Sequence, residues 1–98
     1  MNKRETERII KEADKFKEIY PMDQIEQLLE RYEEAGDALQ EKIDRLEGMY
    51  ELGDSLQDRL DTYNERMEAL ERAKEALETM RDTFSDFEDS LEELGNAV

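Results

Sequence analysis

The chain has 98 residues, 44% of them charged and 37% hydrophobic, with a net charge of −15 and a mean hydropathy of −1.02. That length holds one domain with a modest core, and the charge is unfavourable for nucleic acid or an anionic membrane, both of which repel it. Cysteine and histidine are absent, which removes disulfides, the thiol nucleophile, the commonest general base and the usual transition-metal ligands.

Such a composition opposes collapse unless the few apolar residues are regularly spaced, and here they are. A first helix is predicted over 3–19, with Ile9, Ile10, Ala13, Phe16 and Tyr20 on one face and Glu7 and Lys11 at the favourable i,i+4 spacing. This segment holds six basic and five acidic residues, so the rest of the chain carries −16. Pro21 ends it, because proline disfavours helical geometry at Tyr20, and the same residue is well placed to open a second helix with Asp23 in its first turn.

The second helix is predicted over 22–52, on Ile25, Leu28, Leu29, Tyr32, Ala35, Leu39, Ile43, Leu46, Met49, Tyr50 and Leu52. The consecutive steps of four from Ala35 to Leu39 to Ile43 read as a heptad stutter. Gly36 and Gly48 each weaken the helix by about 1 kcal/mol relative to alanine. A tight turn is predicted at 53–54, with Gly53 as a left-handed helix stop. Asp54 or Ser55 supplies the next N-cap, and Ser55 with Asp58 forms a pattern like a capping box. A rival reading is one unbroken helix from Asp23 to Leu94, since Gly53 also falls on a heptad position.

The third helix, predicted over 55–94, has the clearest pattern. Leu56, Leu60, Tyr63, Met67, Leu70, Ala73, Leu77, Met80, Phe84, Phe87, Leu91 and Leu94 follow one another by three or four residues. The steps alternate as a coiled-coil seam requires, except for a stammer at Met67, Leu70 and Ala73.

The expected fold is therefore all-α in a single domain: a short N-terminal helix followed by a long antiparallel helical hairpin, an elongated three-helix bundle or coiled coil. At 1.5 Å per residue the second helix spans roughly 45 Å and the third roughly 60 Å. With the first helix folded back along the second, about ten residues of the third would project past the bundle, Phe87, Leu91 and Leu94 among them, and the hairpin end would be thinly covered. The segment 82–94 also holds six acidic residues and no basic one. Phe84, Phe87, Leu91, Leu94, Asp86 and Glu88 are accordingly the candidate partner-binding residues.

No glycine-rich phosphate loop or calcium loop is present, and a helix-bundle di-iron site needs a histidine. Pairs such as Glu33-Glu34 and Glu92-Glu93 are solvated charge on exposed faces, not acid–base dyads. No catalytic, cofactor or metal residues are assigned, and the chain is expected not to be an enzyme. The expected function is a structural, scaffolding or adaptor role through coiled-coil contacts, with a second copy or a basic helical protein as partner and no direct binding of nucleic acid or membrane. The alternative is an acidic inhibitor that imitates nucleic acid to a DNA- or RNA-binding protein; Arg45, Arg59, Arg66, Arg72 and Arg81 would dilute such an array. No apolar run approaches the length of a membrane span, so a soluble, cytoplasmic protein is expected.

Overall fold

The computed structural model describes residues 2–49 and 51–97. It is all-α: α1 spans Lys3–Ile19, α2 spans Met22–Glu47 and α3 spans Asp54–Asn96. The short first helix is followed by the long antiparallel hairpin of α2 and α3, in a rod of 72 × 18 × 16 Å.

The ends of α1 follow from local chemistry. The Asn2 side chain accepts the Glu5 amide at 2.9 Å, while the Thr6 hydroxyl donates to the Asn2 carbonyl at 3.0 Å. At the other end Tyr20 is extended, with ψ 128°, as expected of a residue before proline. Helical bonding resumes at once: the Ile25 amide donates to the Pro21 carbonyl at 2.9 Å.

This junction corrects the expected course of the first helix. Pro21 produces a bend and not a reversal, so α1 packs on α3 and makes no contact with α2. The helix lengths give the reason. With 17 and 26 residues, α1 and α2 laid end to end match the 43 residues of α3. The rod is two helices thick along its whole length, and the expected ten-residue overhang does not exist.

The loop between the long helices also departs from expectation. The second helix ends at Glu47, not at residue 52, and Gly48 caps it in a right-handed conformation with φ −77° and ψ −8°. Gly53 is no left-handed stop. Its φ is −67° and ψ 165°, and it occupies the N-cap of α3. The helix therefore begins at Asp54, Ser55 lies inside its first turn, and no side-chain cap forms. The third helix runs two residues past its expected end at 94. Tyr50, assigned to the second helix from its apolar spacing, lies outside the described residues.

Packing replaces the stutter of α2 with a regular heptad. Its covered positions are Met22, Ile25, Leu29, Tyr32, Gly36, Leu39, Ile43 and Leu46, whose steps alternate three and four without interruption. Gly36 holds the place that spacing alone gave to Ala35, which is exposed. A methyl group built on Gly36 would lie 3.5 Å from a Leu70 methyl, an ordinary contact that puts residue 36 in the seam. The core is densest at the hairpin end, where buried Ile43, Leu46 and Leu60 are flanked by Leu39, Leu52, Leu56, Tyr63 and Met67. Each fully buried aliphatic side chain there contributes about 1.5–3 kcal/mol. Two helices with a strict seam thus cover the half expected to be thin.

Candidate interaction faces

The six residues singled out in 82–94 are for the most part engaged by α1. Phe84 is buried and stacks on Tyr20, with ring centroids 4.0 Å apart and planes 1° from parallel. Phe87 meets Phe16 edge-on at 5.7 Å and remains half-buried. Glu88 pairs with Lys17 at 3.5 Å. Half-buried Leu91 shares an open groove with Ile10, Leu94 is half-buried, and Asp86 is exposed. The Tyr20 hydroxyl also donates to the Met80 carbonyl at 3.1 Å, which pins the end of α1 to α3. The chain's own basic-rich helix thus lies along the acidic end of α3.

Seam positions in α3 continue past Met67 as Leu70, Lys74, Leu77, Arg81, Phe84, Glu88 and Leu91, all covered in part or in full. With the seam positions of each heptad labelled a and d, this run puts Lys74, Arg81 and Glu88 at a. The stammer read from sequence is therefore a change of stripe. Ala73, Met80, Phe87 and Leu94 fall one residue earlier, at g, on the flank of the seam. In an antiparallel pair the g positions of both helices share one face of the rod and the e positions share the other.

The two faces differ in chemistry. The flanking e and b positions of α2 include Asp23, Glu26, Glu30, Glu33, Asp37, Asp44 and Glu47. Those of α3 include Asp61, Glu68, Glu71, Glu75, Glu78, Asp82, Asp89 and Glu92, and neither helix has a cation at these positions. Lys74 and Arg81 reach this side from the seam, in an open groove with Glu26, Glu30, Glu33 and Glu78. The opposite face, at g and c, has no acidic residue from Ile19 through Ala97. It carries Arg31, Lys42, Arg45, Arg59 and Arg66 toward the hairpin end; Lys42 and Arg66 both lie about 6 Å from the centre of the Tyr63 ring.

The same side of the rod also holds the apolar surface, and along α1 it carries Glu5 and Glu12 as well. Ile9, Phe16, Ile19, Leu28, Met49 and Met80 are the exposed large hydrophobic residues among those described. The covered residues Thr6, Ile10, Ala13, Lys17 and Tyr20 set the seam of α1, so all but Met49, which lies beyond the end of α2, fall at g or c. Beside the Tyr20–Phe84 stack, Phe16 and Met80 line an apolar groove of about 380 Å³ with Phe87, Thr79 and Thr83. Sequence reasoning missed this face, apart from Phe87 and Leu94. The available signal was the shift of the apolar register once Lys74 is allowed into the seam.

Among the described residues no three carboxylates converge to hold a metal ion, and no helix is long and apolar enough to cross a membrane. Comparison with protein-family models, curated proteins and solved structures finds no match to this chain.

Proposed function

We propose that this protein is a non-catalytic structural, scaffolding or adaptor module that works through helix–helix contacts and associates with itself. The observation that supports the reading is the gathering of five of the six exposed large hydrophobic residues, Ile9, Phe16, Ile19, Leu28 and Met80, on one side of the rod. A rod two helices thick cannot cover a second stripe from within, and contiguous apolar surface of this kind marks association. The acidic face keeps rods from aggregating indiscriminately, since like charges repel there. Light scattering on a sizing column, over a range of concentrations, tests the reading. A discrete species of twice 11.6 kDa or more is expected. Its association should strengthen as moderate salt screens the repulsion between chains of −15. A monomer under all these conditions overturns self-association.

A second reading, the imitation of nucleic acid, gains one specific observation. Arg45, Arg59 and Arg66 lie on the face opposite the e and b carboxylates and do not interrupt them. Competition with DNA for a DNA-binding protein is its test.

A further inference from the structure

We infer that α1 is a strap with two docking positions on α3, and that the Tyr20–Pro21 junction sets which of its faces is docked. Neither position requires the proposed self-association.

The two positions follow from heptad phase. In the docked α1 the covered residues are Thr6, Ile10, Ala13, Lys17 and Tyr20, and continuing their alternation calls for the next seam residue at Gln24. The seam of α2 instead begins at Met22. An unbroken helix would therefore turn the docked stripe of α1 away from α3 by about 200°, two residues of slip at roughly 100° each. The junction absorbs the slip in two ψ angles. Tyr20 has φ −70° and ψ 128°, and Pro21 has φ −83° and ψ 54°, so both φ values are already close to helical. The Met22 amide closes the turn by donating to the Tyr20 carbonyl at 2.9 Å. Pro21 holds the junction in this form, because it has no N–H to offer the Lys17 carbonyl and it crowds Tyr20 out of the helical region.

The face that an unbroken helix would present also suits α3. Carrying the α2 heptad back through the junction puts Arg4, Arg8, Lys11, Lys15 and Glu18 in the seam. Four of these are cations, and the α3 segment 82–94 has six acidic residues and no basic one. Long basic side chains line such a seam by burying their stems and keeping the charge in water, and half-buried Lys17, Lys74 and Arg81 already occupy seam positions. In the second position Ile10, Ala13 and Tyr20 face outward, and Phe84 loses the ring stacked on it. The hairpin is unaffected, since α1 touches α3 alone.

Single cysteines read the position of α1, because the chain has none of its own. With Pro21 in place, Ala13→Cys, half-buried in the seam, should react slowly with a soluble thiol reagent, and exposed Lys15→Cys fast. Adding Pro21→Ala, which lets the helix continue, should speed Ala13→Cys about tenfold and slow Lys15→Cys. Helicity by circular dichroism should be retained or raised, and Leu39→Cys, in the seam of α2, should react as before. Molar salt should reverse part of the shift by screening the cations of α1 from the carboxylates of α3. An Ala13→Cys rate unmoved by Pro21→Ala overturns the role of the junction. Faster Ala13→Cys without slower Lys15→Cys overturns the second position. Faster labelling at Leu39→Cys as well means that the whole rod opens together, which overturns the strap.

Discussion

Replacing Gly36 with alanine tests the seam register more sharply than any core deletion. Residue 36 is helical and half-buried, and a built methyl would sit 3.5 Å from the Leu70 side chain, with nothing closer. Alanine is more favourable than glycine in a helix interior by about 0.8–1 kcal/mol, and partial burial of the methyl adds a few tenths. The variant should therefore be stabilised by about 1 kcal/mol, which in a domain of this size raises Tm by roughly 4–8 °C. Thermal unfolding followed by circular dichroism reads this directly. Ala35→Gly, at the exposed neighbour, should lower Tm by a similar amount through backbone entropy alone. An unchanged or lower Tm in Gly36→Ala would refute the reasoning, because it would mean that the helices approach too closely at residue 36 for a methyl.

Other expectations concern the docking of α1 and the hairpin core. Tyr20→Phe keeps the ring stack on Phe84 but removes the bond to the Met80 carbonyl, so it should cost about 1 kcal/mol or less. Tyr20→Ala removes both and should speed hydrogen exchange throughout α1 while α2 remains protected; uniform loss of protection would show that α1 does not open on its own. Lys17→Ala breaks a partly exposed ion pair and should change stability by no more than about 0.5 kcal/mol, with no effect in high salt. Ile43→Ala, in the densest part of the core, should cost about 2–5 kcal/mol, and a smaller loss on thermal unfolding would argue against tight packing there.

Much of the fold was legible in the sequence because apolar spacing and proline act locally. The limits of α1 and the break at Pro21 follow from nearest-neighbour chemistry, whereas Gly53 marks the hairpin loop as the N-cap of α3 and not as the expected left-handed stop. What was not legible depends on a partner helix. Gly36 has no side chain to mark it as a seam residue, so Ala35 took its place and produced an apparent stutter. Thr6, Lys17, Lys74, Arg81 and Glu88 are covered or half-covered polar residues that an apolar scan passes over. The direction of α1 depends on whether Pro21 bends or reverses the chain, and proline permits both. The Tyr20–Phe84 and Phe16–Phe87 contacts decide it. Of the candidate site, the aromatic cluster was visible as residue types, but α1 turned out to cover Phe84, Glu88 and Leu91. The apolar face on the other flank emerged only after the seam was assigned.

The measurement that tests the central claim most directly is small-angle X-ray scattering with absolute mass calibration, at concentrations on both sides of the association range. The expected particle has twice the mass of the 11.6 kDa chain and a longest dimension close to the 72 Å of a single rod, because two copies lie side by side along their length. A particle of 11.6 kDa throughout would contradict self-association, and one of doubled mass but much greater length would contradict the side-by-side pairing of apolar faces.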